Sequence, residues 1–218
     1  MDVQELRPGL WRWTGSHPEW DHAESWGPEV GSVYAELEDT VVVVDPLVPT
    51  DEEERFWSAL DRDVERAGRP LHVLLTVHWH ERSVAAVLDR YHATLWRPEE
   101  KGELPTGVHA EVVKGSDWME ALFFLEPHKA LVAGDLLVGR DGGIELPVGW
   151  FPKDEQEWAR DVLKPDLRKR LAALPVELIL VSHGVAEHAG RYHHVADVLV
   201  ALGLRVAIPD HHGHGRSG

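Results

Sequence analysis

Five residues of this 218-residue chain pair metal- or proton-handling chemistry with one recurring position. Asp45, His78, His80, Asp135 and His183 all stand at or just past the end of a short apolar run. Imidazole and carboxylate are suitable ligands for zinc, iron or manganese. A metal site collects such ligands from separate segments on a rigid scaffold, and strand ends of layered α/β folds are where side chains converge on a cleft. A lone strand-end His or Asp is more often a cap or a turn former. It is the conjunction that points to a site, with Asp45 read as the support of a neighbouring ligand rather than a ligand itself.

The elements that must position them are legible in outline. Val3 to Thr14 reads as a strand region broken at Pro8-Gly9, and Ser16 to Pro28 as a Trp-rich loop. Its stretch Trp20 to Trp26 reads as tucked onto the core by its indoles, with an interface or a lid over the cleft as the alternatives. Val33 to Leu37 and the continuously apolar Val41 to Val44 read as strands. Thr50 and Glu53, three apart, suggest a capping box opening a helix that stops at Gly68. Leu71 to Val77 is a further strand, followed by a helix from Ser83 to Tyr91. Strands are expected at Ala93 to Trp96, Val108 to Val113, Trp118 to Leu125 and Ala130 to Ala133. His128 falls in the turn before the last of these and reads as a surface residue. Gln156 to Leu174 reads as a helix interrupted at Pro165, and Glu177 to Val181 as a strand. Runs of strands flanked by helices imply a two-sheet layered α/β domain.

Composition narrows the function classes. A net charge of −16 argues against a nucleic-acid partner and an anionic membrane surface. The absence of cysteine removes disulfides, thiolate metal sites and Cys nucleophiles. Met1 to Glu5 has neither a basic nor an apolar leader region, and no apolar run approaches bilayer length. The expectation is a cytoplasmic protein without membrane insertion, acting on a small-molecule substrate or ligand.

The segments Val41-Val42-Val43-Val44-Asp45, Leu74-Leu75-Thr76-Val77-His78-Trp79-His80, Leu131-Val132-Ala133-Gly134-Asp135 and Leu180-Val181-Ser182-His183-Gly184 together resemble the metallo-β-lactamase-fold family over about residues 3–184. The resemblance implies a four-layer αββα sandwich. It also implies that the motif H-x-H-x-D-H is degenerate here: His78 and His80 match its first two ligands, but Arg82 stands where a metal-binding Asp is expected and Ser83 where the next His is. Ser116 takes the position of a further family His, while Asp135 and His183 match the bridging carboxylate and the last His. A two-metal centre is therefore not expected, since Arg82 puts a fixed cation where a dication wants an anion. The expectation is at most one zinc, iron or manganese on His78, His80, Asp135 and His183, or no metal at all.

The end of the chain carries a second resemblance. His183-Gly184-Val185-Ala186-Glu187-His188-Ala189-Gly190-Arg191-Tyr192 and Pro209-Asp210-His211-His212-Gly213-His214-Gly215-Arg216-Ser217-Gly218 look like the N-terminal part of a monoacylglycerol-lipase-type α/β-hydrolase, over about residues 181–218. No G-x-S-x-G nucleophile elbow occurs in the sequence. The organisation expected is a metallo-β-lactamase-like domain over 1–184 and a truncated hydrolase-like helix-strand segment over 185–218. A helix from Arg191 to Leu202 could then complete the last layer of the first domain. Three functions follow: a one-metal hydrolase-like protein with weak or no action on a small ester, thioester or amide; a non-catalytic ligand-binding scaffold; or a truncated fusion whose parent is a serine hydrolase.

Overall fold

The computed structural model describes residues 1–22, 24, 26–100, 102–140 and 143–183. The helix expected over Arg191 to Leu202 and the strand after it lie outside these residues.

Twelve strands are named in chain order: β1 Asp2–Arg7, β2 Leu10–Ser16, β3 Glu29–Glu36, β4 Val41–Val44, β5 Leu71–Leu74, β6 Thr94–Trp96, β7 Val108–Lys114, β8 Met119–Leu125, β9 Ala130–Ala133, β10 Val138–Arg140, β11 Gly143–Glu145 and β12 Leu178–Val181. The first six form one sheet in sequence order, and a second sheet has the order β12-β9-β8-β7. The short β10–β11 hairpin stands apart. The helices are α1 Glu53–Ala67, α2 Val84–Tyr91, α3 Gln156–Trp158 and α4 Lys164–Ala172, the last two joined by a π-helical turn over Ala159–Leu163. None of the described helices is long and apolar enough to cross a membrane.

Side chains alternate across a strand, so a strand buried on both faces must be apolar at every position. β4 shows this directly. Val41 and Val43 pack with Phe56 and Leu60 of α1 and Val87 of α2, while Val42 and Val44 join the core between the sheets. β8 and β9 divide in the same way. Phe123, Leu125, Ala130 and Val132 face the first sheet, and Leu122, Phe124 and Leu131 meet Leu163 and Leu167. Three apolar layers thus separate helices, sheet, sheet and helices, which is the αββα sandwich.

Two local expectations are corrected. Thr50–Glu52 is a 3-10 turn and neither it nor α1 has a side-chain cap, so the Thr50–Glu53 capping box is not formed. Gly68 does end α1 in the left-handed conformation. His128 sits in the expected turn but is buried, its Nε2 2.8 Å from the Glu36 carbonyl oxygen. An imidazole can bury its body against the core when its polar edge finds a backbone partner. Pro165 lies just after the π-helical turn, where its missing N–H and its ring displace the regular ladder.

Candidate metal centre

The parallel pair β4–β5 in the first sheet and the parallel pair β9–β12 in the second both end at the same edge of the sandwich. That edge is stitched across the sheets. The Ala121 amide donates to the Thr76 carbonyl at 2.8 Å and the Gly31 amide to that of Ser182 at 2.8 Å. Isolated bridges pair Val30 with His183 and Val77 with Glu120. Strand ends from both sheets are therefore held in fixed register around one point.

At that point lie three ligand atoms. Asp135 Oδ1 is 3.2 Å from His80 Nε2 and 3.1 Å from His183 Nε2, and the two nitrogens are 3.4 Å apart. Metal–ligand bonds of about 2.0–2.1 Å put neighbouring ligands roughly 2.8–3.4 Å apart, from octahedral to tetrahedral geometry. The triangle thus has the edge lengths of one face of a coordination sphere. Neither contact to Asp135 Oδ1 has hydrogen-bond geometry, so this oxygen is buried without a donor among the described residues.

His80 is oriented from behind. Its Nδ1 lies 2.8 Å from Asp45 Oδ2 and 3.1 Å from Thr76 Oγ1, which turns Nε2 toward Asp135 and His183. A carboxylate behind a ligating imidazole fixes its tautomer and orientation. Asp45 is only 1% exposed, and it accepts further bonds from the Thr76 amide, the Thr76 hydroxyl and Ser182 Oγ. Its φ of 47° is left-handed, a conformation Asp tolerates better than most residues.

The electrostatics follow from these contacts. Burial disfavours a charged His80 and Arg82 repels it, yet the carboxylates of Asp135 and Asp45 outweigh both and push its pKa up to about 9. Burial would raise Asp135, but His80 and His183 hold it well below the usual carboxylate range. His183 is lowered, chiefly by burial. Glu120 is raised well above its ordinary value by burial and by the charge of Asp135.

The other sequence candidates are placed elsewhere. His78 is 52% exposed, with Nδ1 3.6 Å from Glu99 Oε1, and does not join the triangle. The reason is local geometry. His78–His80 is a 3-10 turn with about three residues per turn, so positions two apart point to different sides; on an extended strand they would share a face. Arg82 has a φ of 31° and donates from Nη1 to the carbonyls of Gly31 (3.1 Å) and Asp45 (3.2 Å). Its charge is tied to backbone behind the cluster. Ser83 Oγ accepts from the Val48 amide at 2.9 Å. Ser116 is exposed and turned to Asp117, with its Oγ 3.1 Å from Asp117 Oδ1.

Several supporting residues went unread in the sequence. Glu120 is 1% exposed and accepts from the amides of Gly134 (3.1 Å) and Leu136 (2.9 Å), which fixes the turn that presents Asp135. Its one signal was a lone acid opening the apolar run from Ala121 to Leu125. Trp26 and Trp150 pack edge-on to His183 with ring centroids 5.1 and 5.6 Å away. Through Trp26 the Trp-rich loop therefore leans on the site. Gly134 is constrained by proximity: a Cβ there would collide with Thr76 Oγ1 and lie 3.0 Å from Thr76 Cβ. Gly134→Ala is expected to destabilise the fold by about 1–3 kcal/mol, the usual cost of overpacking, and to displace the hydroxyl that binds Asp45. A urea midpoint unchanged from the parent would refute the close packing of this turn.

Comparisons with known proteins agree with this architecture. The fold is that of the metallo-β-lactamases. A putative diflavin flavoprotein fragment from Nostoc sp. PCC 7120 superposes with a TM-score of 0.57, covering 93% of this chain and 94% of that one at 14% identity. The mono-zinc form of the metallo-β-lactamase FIM-1 from Pseudomonas aeruginosa superposes with a TM-score of 0.52, covering 84% of this chain and 88% of that one at 16% identity.

The C-terminal stretch is similar to different proteins. Residues 174–218 match the family described as serine aminopeptidase, S33. The monoacylglycerol lipase of Mycolicibacterium smegmatis is 52% identical over 58 residues, 27% of this chain and 19% of that lipase. Human monoglyceride lipase is 54% identical over 43 residues, 20% of this chain and 14% of the relative. The chain thus spans about a fifth or less of the lipases it matches. The matched stretch includes β12, which pairs with β9 inside the second sheet and carries His183 at its end.

Proposed function

We propose that this chain is a hydrolase-like protein of the metallo-β-lactamase fold that holds at most one divalent metal, on His80 Nε2, Asp135 Oδ1 and His183 Nε2. The observation that carries the reading is the 3.1–3.4 Å triangle of those three atoms, with Asp45 orienting His80 from behind. Three protein ligands suffice for a catalytic zinc and leave a position open. When bound, such an ion supplies Lewis acidity toward a carbonyl group and lowers the pKa of a water. The protein's own part is to hold Asp135 ionised, His183 neutral and the cleft beside them open. Substrates in this reading are small esters, thioesters or amides, turned over weakly or not at all. Iron or manganese would suit the same donors.

A second reading has its own support. A protonated His80 lies within ion-pair distance of both Asp45 and Asp135 and balances part of their charge without any ion, so the cluster also reads as an ion network of a metal-free binding scaffold. Elemental analysis of protein purified without chelator separates the two. About one equivalent of metal in the parent, lost in His80→Ala and in His183→Ala but kept in His78→Ala, is the expected result. No metal in a folded parent would leave the scaffold.

For the domain organisation we propose a junction within the residues that fit both families, Val181 to Gly184, with 185–218 contributing the last layer of the first domain. The overlap of the lipase-like match with β12 supports it. The serine-hydrolase activity of those relatives is not part of the proposal, because the sequence holds no G-x-S-x-G elbow.

A further inference from the structure

We propose that the cleft beside Asp135 binds a small ligand through an ammonium group with apolar shoulders, either a quaternary ammonium or an alkylated amine, and discriminates against anions. This rests on the reading of that cleft as the functional site and names the class of molecule it takes.

The cleft has a volume of about 380 Å³ and is walled by Trp79, Trp118, Trp150 and Phe151. That volume lies in the range of small-molecule sites. Among the described residues its titratable lining is Asp117, Glu120, Asp135 and His78, with no Lys or Arg. Trp79 is 48% exposed, a large apolar surface left open beside a cluster of buried polar groups.

The indoles are wired in a way that favours cations. Trp79 Nε1 donates to Asp135 Oδ2 at 2.7 Å, and Trp118 Nε1 donates to Glu155 Oε2 at 2.8 Å. A ring whose N–H is held by a carboxylate gains electron density on its faces, and an indole face already attracts cations best among the aromatic side chains. An ammonium group in this cleft would meet indole rings and the carboxylates of Asp117 and Asp135 together. In the metal-free cleft a carboxylate ligand would meet Asp117 and Asp135 with no Lys or Arg among the described lining residues to offset them, on a chain whose net charge is −16. An uncharged ligand of the same shape keeps the apolar contacts and loses the electrostatic part.

Three probes of equal shape isolate the charge: choline, its carbon isostere dimethylbutanol, and dimethylbutanoate. Binding is followed by the indole N–H resonances of Trp79 and Trp118, in chelator-treated and in metal-supplemented protein. Choline is expected to bind about tenfold more tightly than the alcohol, with the carboxylate weakest. Trp79→Leu, a change at a half-exposed residue, should weaken both ligands but choline more, and so remove most of that preference. Asp117→Asn, at an exposed position, should weaken choline several-fold. Equal binding of choline and alcohol, a preference for the carboxylate, or no binding of any probe would overturn the proposal. The two readings fail separately. A protein that takes up no metal but prefers choline loses only the metal centre. One that takes up metal without a charge preference loses only this inference.

Discussion

Asp45→Ala is expected to cost about 3–5 kcal/mol of folding stability, the scale for removing one partner from a buried ion pair. The carboxylate is 1% exposed and accepts from the Thr76 amide, the Thr76 hydroxyl, Ser182 Oγ and His80 Nδ1. Alanine leaves each of these buried donors without its acceptor, and each unsatisfied group costs about 1–3 kcal/mol. It also forces an Ala into a φ of 47°, where Asp and Asn are better tolerated. Asp45→Asn divides the loss. Asparagine keeps the left-handed backbone and can still accept from the Thr76 amide, but it removes the negative charge beside His80. The His80 pKa should then fall from about 9 toward its ordinary value, because burial and Arg82 would face only the Asp135 carboxylate. Chemical denaturation and an NMR titration of the His80 ring measure the two effects. An Asp45→Ala protein within 1 kcal/mol of the parent would mean that Asp45 is not the keystone of this edge.

How much of this was legible in the sequence depended on the kind of signal. Burial on both faces wrote itself into Val41–Val44 and Ala130–Ala133 as continuous apolar runs, and the strands lie where those runs lie. Strand ends carried Asp45, Asp135 and His183 to one edge, as expected of chemistry placed after apolar runs. His78 misled for a definite reason. Sequence spacing cannot distinguish an extended H-x-H, with both rings on one side, from a 3-10 turn that separates them. Thr76 and Glu120 were invisible because their roles depend on contacts distant in sequence: Thr76 meets Asp45 from 31 positions away, and Glu120 meets the Leu136 amide from 16. The β10–β11 hairpin was missed because its strands are three residues each, too short for a period to show. The sequence pattern also placed the lipase-like resemblance from about Val181, whereas the family match begins at residue 174, before β12.

Metal affinity should rise about tenfold per pH unit between roughly pH 6.5 and 9 and then level off, because a ligating imidazole must first lose its proton. His80 is the group that titrates in this window, with a pKa pushed up to about 9. His183 is lowered and Asp135 is held well below the carboxylate range, so neither competes there. One proton is therefore displaced per ion, and zinc titration against a chelator of known pH dependence should give a slope of one. A flat profile would mean that His80 is not a ligand, and a break near pH 6.5 would mean that its carboxylate partners do not hold the proton. The metal-free fold must respond with the opposite sign. A His whose folded pKa exceeds its unfolded value lends stability that is complete below about pH 6.5 and is lost as pH rises through about 9. Raising the pH thus removes the proton that holds Asp45 and Asp135 together, and at the same time frees the nitrogen that a metal would take. If the cluster is a metal centre, added zinc should restore at alkaline pH the stability that deprotonation removes; if it is an ion network alone, zinc should leave the alkaline loss untouched.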